Sequence, residues 1–275
     1  MSAPGTARVG IVGRGRLGAA VAALIGRTPG MELAWTAGRG EAPGTGADVV
    51  LDASAAGAVG EHLAWALATG TPLVIGTTGW DRSLVERLDQ ETLCAGVMVA
   101  PNFSIAVAFM RRAALALGRL AALEPDADLS IMERHHRAKA DSPSGTAKSL
   151  AAAMAEGSGR HGGWNAGRAE PGSINVASLR SGLAVGYHEL RYEAPYETIV
   201  LAHEALNREL FARGAVEALL WIRDRRGVFS FDDMASDIID PLFLPSAGIH
   251  ARHEDPSLAG RIPSLAGRIP SLAGR

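Results

Sequence analysis

Arg8-Val-Gly-Ile-Val-Gly-Arg-Gly-Arg-Leu-Gly18 is the stretch that decides the fold. A short apolar run ends at Gly13-Arg-Gly15-Arg-Leu-Gly18, and a helical pattern follows through Val21, Leu24 and Ile25. Glycines at this spacing have separate tasks. Gly13 permits a tight turn, Gly15 lets a pyrophosphate approach the backbone, and Gly18 lets the helix pack on the strand. Alone the spacing describes any glycine turn; placed between a strand and a helix, it predicts a dinucleotide-binding turn.

Strands and helices alternate onward from this turn. Leu33–Thr36, Asp48–Asp52, Pro72–Gly76 and Val97–Ala100 read as strands; helices are expected over Gly57–Thr69 and Ser83–Glu91. That rhythm predicts a doubly wound parallel sheet with ligands at the carboxyl ends of its strands. Gly76-Thr-Thr-Gly79 and Pro101-Asn-Phe-Ser104 fall at two of those ends. Thr77, Thr78 and Asn102 offer hydrogen bonds to a nicotinamide or ribose, and Phe103 can flank the ring. The second strand ends in Thr36-Ala-Gly-Arg39, with no acid before Glu41. An acid there favours NAD and an arginine accommodates a 2′-phosphate, so the segment favours NADP(H), with Arg39 on the phosphate, and leaves NADH open.

The chain has 275 residues and a net charge of −2, with 47% hydrophobic and 20% charged residues. This is a globular composition long enough for two domains, with no electrostatic case for nucleic acid. No signal-like or membrane-length apolar run is present, and the single cysteine, Cys94, fits a reducing compartment. A cytoplasmic protein is expected. His203-Glu-Ala-Leu-Asn207 lacks the second histidine of a zinc motif, and no metal site is expected.

The densest chemistry lies in Glu133-Arg-His-His-Arg-Ala-Lys-Ala-Asp-Ser-Pro-Ser-Gly-Thr-Ala147. Leu129–Met132 reads as a strand before it, and Thr146–Glu156 as a helix after it. Ser142 is the expected cap of that helix, with Pro143 at its first position. The free N–H groups near Ser144, Gly145 and Thr146 then form an anion site beside His135, His136 and Lys139. The set suits a small substrate that carries carboxylates and must receive a proton. One carboxylate is expected at the helix N-terminus, the other on His136, Lys139 or Arg208.

A helix is expected over Ile105–Leu120, a glycine-rich connection over Gly157–Gly167, and strands over Ser173–Arg180, Leu183–Arg191 and Glu197–His203. These predict an open mixed sheet. Phe211–Arg225 reads as a helix returning to the nucleotide-binding part. The expected division is 1–104 with 209–246 for the dinucleotide, 105–208 for substrate and oligomerisation, and 247–275 as a disordered tail of Pro-Ser-Leu-Ala-Gly-Arg repeats.

Taken in order, these segments resemble the bacterial 4-hydroxy-tetrahydrodipicolinate (dihydrodipicolinate) reductases over nearly all of residues 8–240. Residues 133–147 match the family pattern E-x-H-H-x-x-K-x-D-x-P-S-G-T-A, and Gly76–Gly79, Ala100–Ser104, Arg180-Ser-Gly, Gly186-Tyr-His188 and His203–Arg208 match in sequence. Leu17 stands where many members have Met. The resemblance implies a nicotinamide-dependent reduction of a cyclic imine-type dicarboxylate in the diaminopimelate route to lysine, and a homotetramer. By position it implies His135 as proton donor/acceptor, Lys139 as proton donor, His136 as a substrate ligand, and Gly145 with Thr146 as a carboxylate grip. It places Gly13, Arg14, Gly15, Arg16, Leu17, Gly18, Gly76, Thr77, Thr78, Ala100, Pro101, Asn102 and Phe103 on the cofactor. A related oxidoreductase on another amino or imino acid, or a non-catalytic NADP-binding paralogue, are the alternatives.

Overall fold

The structure, a computed structural model, describes residues 5–243. The chain divides into two compact units, Met1–Ile239 and Asp240–Arg275. Of the second only Asp240–Phe243 are described, and the expected tail at 247–275 lies outside the described residues.

The first unit holds two sheets. One contains β1 (Ala7–Val12), β2 (Met31–Ala37), β3 (Val49–Asp52), β4 (Leu73–Ile75), β5 (Gly96–Val99) and β11 (Gly227–Ser230), all parallel, in the order β11-β5-β4-β3-β1-β2. Every residue of β3, β4 and β5 is buried. Such continuous apolar runs arise because a parallel sheet is covered on both faces. Val9, Ile11, Leu51 and Val74 pack under α1 (Arg16–Ile25) and α6 (Glu209–Ile222), through Val21, Ile25, Leu219 and Ile222. Val12, Val50 and Ile75 face the other way, toward Val59 and Leu63 of α2 (Val59–Thr69) and Val85 of α3 (Ser83–Glu86).

Gly13 has φ +103°, and a Cβ there would lie 2.2 Å from the Ala53 carbonyl oxygen. A Cβ on Gly18 would lie 1.9 Å from the Gly13 carbonyl oxygen. Both glycines thus have the turn and packing duties that their spacing assigns to them.

The second sheet has the order β10-β9-β6-β8-β7. It comprises β6 (Asp128–His135), β7 (Gly163–Ala166), β8 (Ser173–Arg180), β9 (Gly186–Ala194) and β10 (Glu197–Ala205), and mixes parallel with antiparallel pairs. Leu129, Ile131, Ile174, Val176 and Leu190 pack beneath α4 (Ile105–Leu123) and α5 (Gly145–Ser158). The two helices approach closely: a Cβ on Gly118 would lie 2.2 Å from the Met154 carbonyl oxygen. α7 (Phe231–Phe243) follows β11. No described helix is long and apolar enough to cross a membrane.

The two-sheet architecture agrees with the sequence reading, and four local expectations are corrected. Ser144, not Ser142, caps α5; its hydroxyl accepts from the Ala147 N–H at 3.2 Å. The connection at 157–167 contains β7, a four-residue strand too short to show alternation. The helix expected over 83–91 is the single turn Ser83–Glu86, beyond which Asp89 binds the Glu91 N–H at 3.1 Å in an Asx turn. β11 was absent from the sequence reading, and it adds a sixth strand beside β5.

Gly118→Ala is expected to force α4 from α5 and to lower stability by about 1–3 kcal/mol. An unchanged thermal midpoint would refute this account of the helix pair.

Candidate functional site

The carboxyl ends of the parallel strands come level: Val12 pairs with Ala37 and Asp52, and Ile75 with Asp52 and Val99. The loops beyond them therefore open on one edge. At one end of that edge Gly13, Arg14, Gly15, Gly38, Arg39, Glu41, Ser54, Glu61 and His62 line a cleft of about 540 Å³. Gly15 precedes α1 with no side-chain cap, so the first-turn N–H groups have no side-chain acceptor. Nothing lies within 4 Å of a Cβ built on Gly15. Arg14 is held by Glu41, at 2.8 and 2.7 Å, and by the Thr36 carbonyl at 3.0 Å. Glu41 also accepts from the Gly38 N–H at 3.0 Å.

A buried carboxylate supports these loops from below. Asp52 accepts from Thr77 Oγ1 at 2.6 Å, from Ser54 Oγ at 2.7 Å and from His62 Nδ1 at 2.7 Å. Burial raises its pKa, but the bonds from His62, Thr77 and Ser54 outweigh that and hold it below the usual range. The Thr77 hydroxyl is thus committed to the protein, whereas Thr78 is exposed.

The second cleft, of about 820 Å³, lies where both sheets meet. Thr78, Pro101 and Asn102 contribute from the parallel sheet; His135, Lys139, Asp141, Ser144, Gly145 and Thr146 contribute from the other. Asn102 joins the two sides, its Nδ2 donating to Thr146 Oγ1 at 3.2 Å. With Ser144 as cap, the Gly145 and Thr146 N–H groups lie in the first turn of α5, where the Gly145 N–H also helps to hold the Asp141 carboxyl below its usual range. Lys139 Nζ stands 2.7 Å from Asp141.

Glu133 organises this side and is fully buried. Its carboxylate accepts from Arg180 at 2.9 and 2.6 Å, from the Ser144 N–H at 3.1 Å, and from His135 Nδ1. Burial raises its pKa; the bonds from Arg180, Ser178, His135 and Ser144 prevail and bring it to about 2. Glu133 is therefore ionised at neutral pH and can only accept, so His135 carries its proton on Nδ1. Burial lowers the His135 pKa, Glu133 opposes, and Lys139 and Arg180 add to the lowering. Nε2 of His135 lies beside Gly186, where a Cβ would come within 3.0 Å. His188 lies edge-on to His135 at 5.1 Å and bonds Ser144 Oγ at 3.2 Å.

Not every expected residue joins a cleft. Phe103 is buried, packs edge-on against Phe231 at 5.7 Å, and lies against Gly76, outside both clefts. Ala100 is also fully buried. Leu17 packs against the core, and Arg16 opens α1. His136 and Arg208 do not line the cleft around His135. That cleft instead includes Arg82, Arg111 and Asp232, which sequence reasoning missed; Arg111 pairs with Asp232 at 2.7 Å across 121 residues. Glu133, Arg180 and His188 were visible only as members of matching motifs. The signal that could have marked Glu133 is its inward position on β6, in step with Leu129 and Ile131.

Comparison with known proteins bears on the chemistry. Residues 103–235 match the family model described as dihydrodipicolinate reductase, C-terminus, and residues 41–103 the model of its N-terminus. The 4-hydroxy-tetrahydrodipicolinate reductase of Acidiphilium cryptum is 38% identical over 232 residues, covering 79% of this chain and 92% of the relative. That of Gluconobacter oxydans is 40% identical over 193 residues, covering 68% and 76%. A dipicolinate-bound dihydrodipicolinate reductase from Paenisporosarcina shares the fold, with TM-score 0.67 and 24% identity over 83% of this chain and 99% of the other.

The buried pairs predict a pH dependence. His188 falls from the usual 6.5 to about 4, chiefly by burial, with His135 adding to the effect. A depressed histidine makes the folded state bind fewer protons than the unfolded one, so stability is lost as pH falls from 6.5 toward 4. Glu133, depressed from 4.5 to about 2, extends the loss below 4.5. Urea midpoints should fall between pH 7 and 5, and less so in His188→Gln; equal slopes would refute the assignment.

Proposed function

The chain belongs to the dihydrodipicolinate reductase family, and on that premise we propose that it reduces 4-hydroxy-tetrahydrodipicolinate to tetrahydrodipicolinate, with loss of water, in the diaminopimelate route to lysine. The observation that carries this reading is the cleft in which Thr78 and Asn102 stand opposite His135, Lys139, Gly145 and Thr146.

The residues present fit a dinucleotide. The positive φ of Gly13, the open space over Gly15 and the uncapped start of α1 suit a pyrophosphate. A reduced nicotinamide supplies the hydride when bound. Thr78 and Asn102 orient its carboxamide and ribose, while Thr77 acts indirectly through Asp52. Arg39, at the end of β2, is the cation for a 2′-phosphate and favours NADPH. Glu41 already neutralises Arg14 and offers an acceptor to ribose hydroxyls, so NADH is also taken.

Substrate chemistry falls to the other sheet. The first-turn N–H groups of Gly145 and Thr146, with Lys139 alongside, receive one carboxylate. Hydride addition to an unsaturated carbon leaves negative charge on its neighbour, which an acid must quench. His135, protonated at Nε2 from solvent, donates that proton and takes up another from solvent after turnover, and Lys139 is the second proton donor. His136 and Arg208 are the remaining candidates for the second carboxylate, and closure of the substrate-binding part, residues 105–208, on the dinucleotide-binding part brings the ring under the nicotinamide.

A homotetramer is assembled through the uncovered face of the second sheet, where Met132, Leu179 and Val200 are 44%, 52% and 47% exposed. Light scattering should give four times the chain mass; a monomer would contradict this assignment.

The test of function is a coupled assay in which the upstream synthase generates substrate and nicotinamide absorbance is followed. Substrate-dependent oxidation is expected, faster with NADPH. Glu41→Gln should widen the preference for NADPH. His135→Gln should lower kcat by roughly 100-fold or more, in line with loss of a general acid, with cofactor affinity unchanged. No oxidation of either cofactor by folded wild-type protein would overturn the reading.

A further inference from the structure

Glu133 is the most buried ionised group on the substrate side, and the reaction as derived gives it no direct contact with substrate or cofactor. It nevertheless bonds directly to His135 and to the start of α5, which do. On β6 it is two residues from His135, and adjacent inward positions of a strand share a face. Its carboxylate holds His135 Nδ1, the guanidinium of Arg180 at the end of β8, and the Ser144 N–H at the start of α5. Arg180 in turn donates to the Asp141 carbonyl at 2.6 Å, which ties down the loop bearing Lys139.

We infer that Glu133 is the positioning residue of the reaction: it fixes the His135 ring as the Nδ1–H tautomer, confines proton exchange to Nε2, and sets the position of the Lys139 loop through Arg180. The inference rests on the reductase reading. An imidazole held at one nitrogen by an ionised acceptor presents only the other nitrogen for acid–base work. The neighbours agree with this direction. His188 on β9 is kept neutral by burial and stands edge-on, so it neither competes for Glu133 nor repels a protonated His135 strongly. Lys139 and Arg180 are the cations facing His135, and Glu133 is the anion. His203 on β10 acts on His188 from behind.

The experiment compares two variants with the wild-type enzyme across pH. Glu133→Gln removes the anion, so the kcat limb belonging to His135 should move to lower pH, and kcat should fall roughly 10–100-fold, the range for a lost supporting partner. The KM for the cofactor should not change. Arg180→Gln keeps the Glu133–His135 bond and removes a cation, so the same limb should move to higher pH. A merely structural role would lower the folded fraction and leave both limbs in place. Should Glu133→Gln fail to fold, Arg180→Gln and the ¹⁵N spectrum of His135 in the wild-type protein decide the matter. The spectrum should show Nδ1 protonated and Nε2 bare at neutral pH. Unmoved limbs in folded variants, or an Nε2–H tautomer, would overturn the role of Glu133. The spectrum needs no substrate, so an inactive wild-type protein would overturn the reductase reading separately.

Discussion

The half of this protein built on the mixed sheet depends on one buried anion. Glu133 lies near the carboxyl end of a strand with no exposed surface, and four donor atoms converge on it from two strands and a helix start. A carboxylate in such a place is costly unless every lone pair is used. Here the cost becomes geometry. The bidentate guanidinium, the imidazole and the backbone N–H can satisfy the charge only with β6, β8 and α5 in one arrangement. Removing one partner of such a pair costs about 3–5 kcal/mol because the other charge is left buried. The site is thus as rigid as the fold that encloses it.

The half built on the parallel sheet repeats the device. Asp52 also ends a strand, is also fully buried, and also gathers a histidine and two hydroxyls. It braces the loops after β3 and β4, while Gly13 and Gly15 shape the loop after β1. Each sheet therefore carries a buried carboxylate behind the edge on which its cleft opens. Asn102 and Thr146 form the bridge where the edges meet.

Much of this was legible in the residues. The parallel sheet followed from apolar runs of strand length between helical patterns, and the turn at Gly13–Gly18 from glycine spacing between a strand and a helix. His135, Lys139, Gly145 and Thr146 share a cleft because the short segment 135–146 runs from strand end to helix start, a local relation that sequence preserves. What escaped was nonlocal or short. β7 and β11 have four residues each, too few for a period to show. Ser142 and Ser144 are equivalent caps in composition; only the Ser144 N–H bond to Glu133 separates them. Phe103 looked available because an aromatic residue in a loop has no sequence mark of burial, whereas Gly76 and Gly214 leave the space that it fills. The Arg111–Asp232 pair spans 121 residues, and no local pattern announces it.

The measurement that tests the account most directly is a crystal structure with reduced cofactor and dipicolinate, a planar dicarboxylate. The account predicts one carboxylate on the Gly145 and Thr146 N–H groups beside Lys139, with the ring between the nicotinamide and Nε2 of His135. An analogue bound elsewhere, or a His135 ring turned to offer Nδ1, would contradict it.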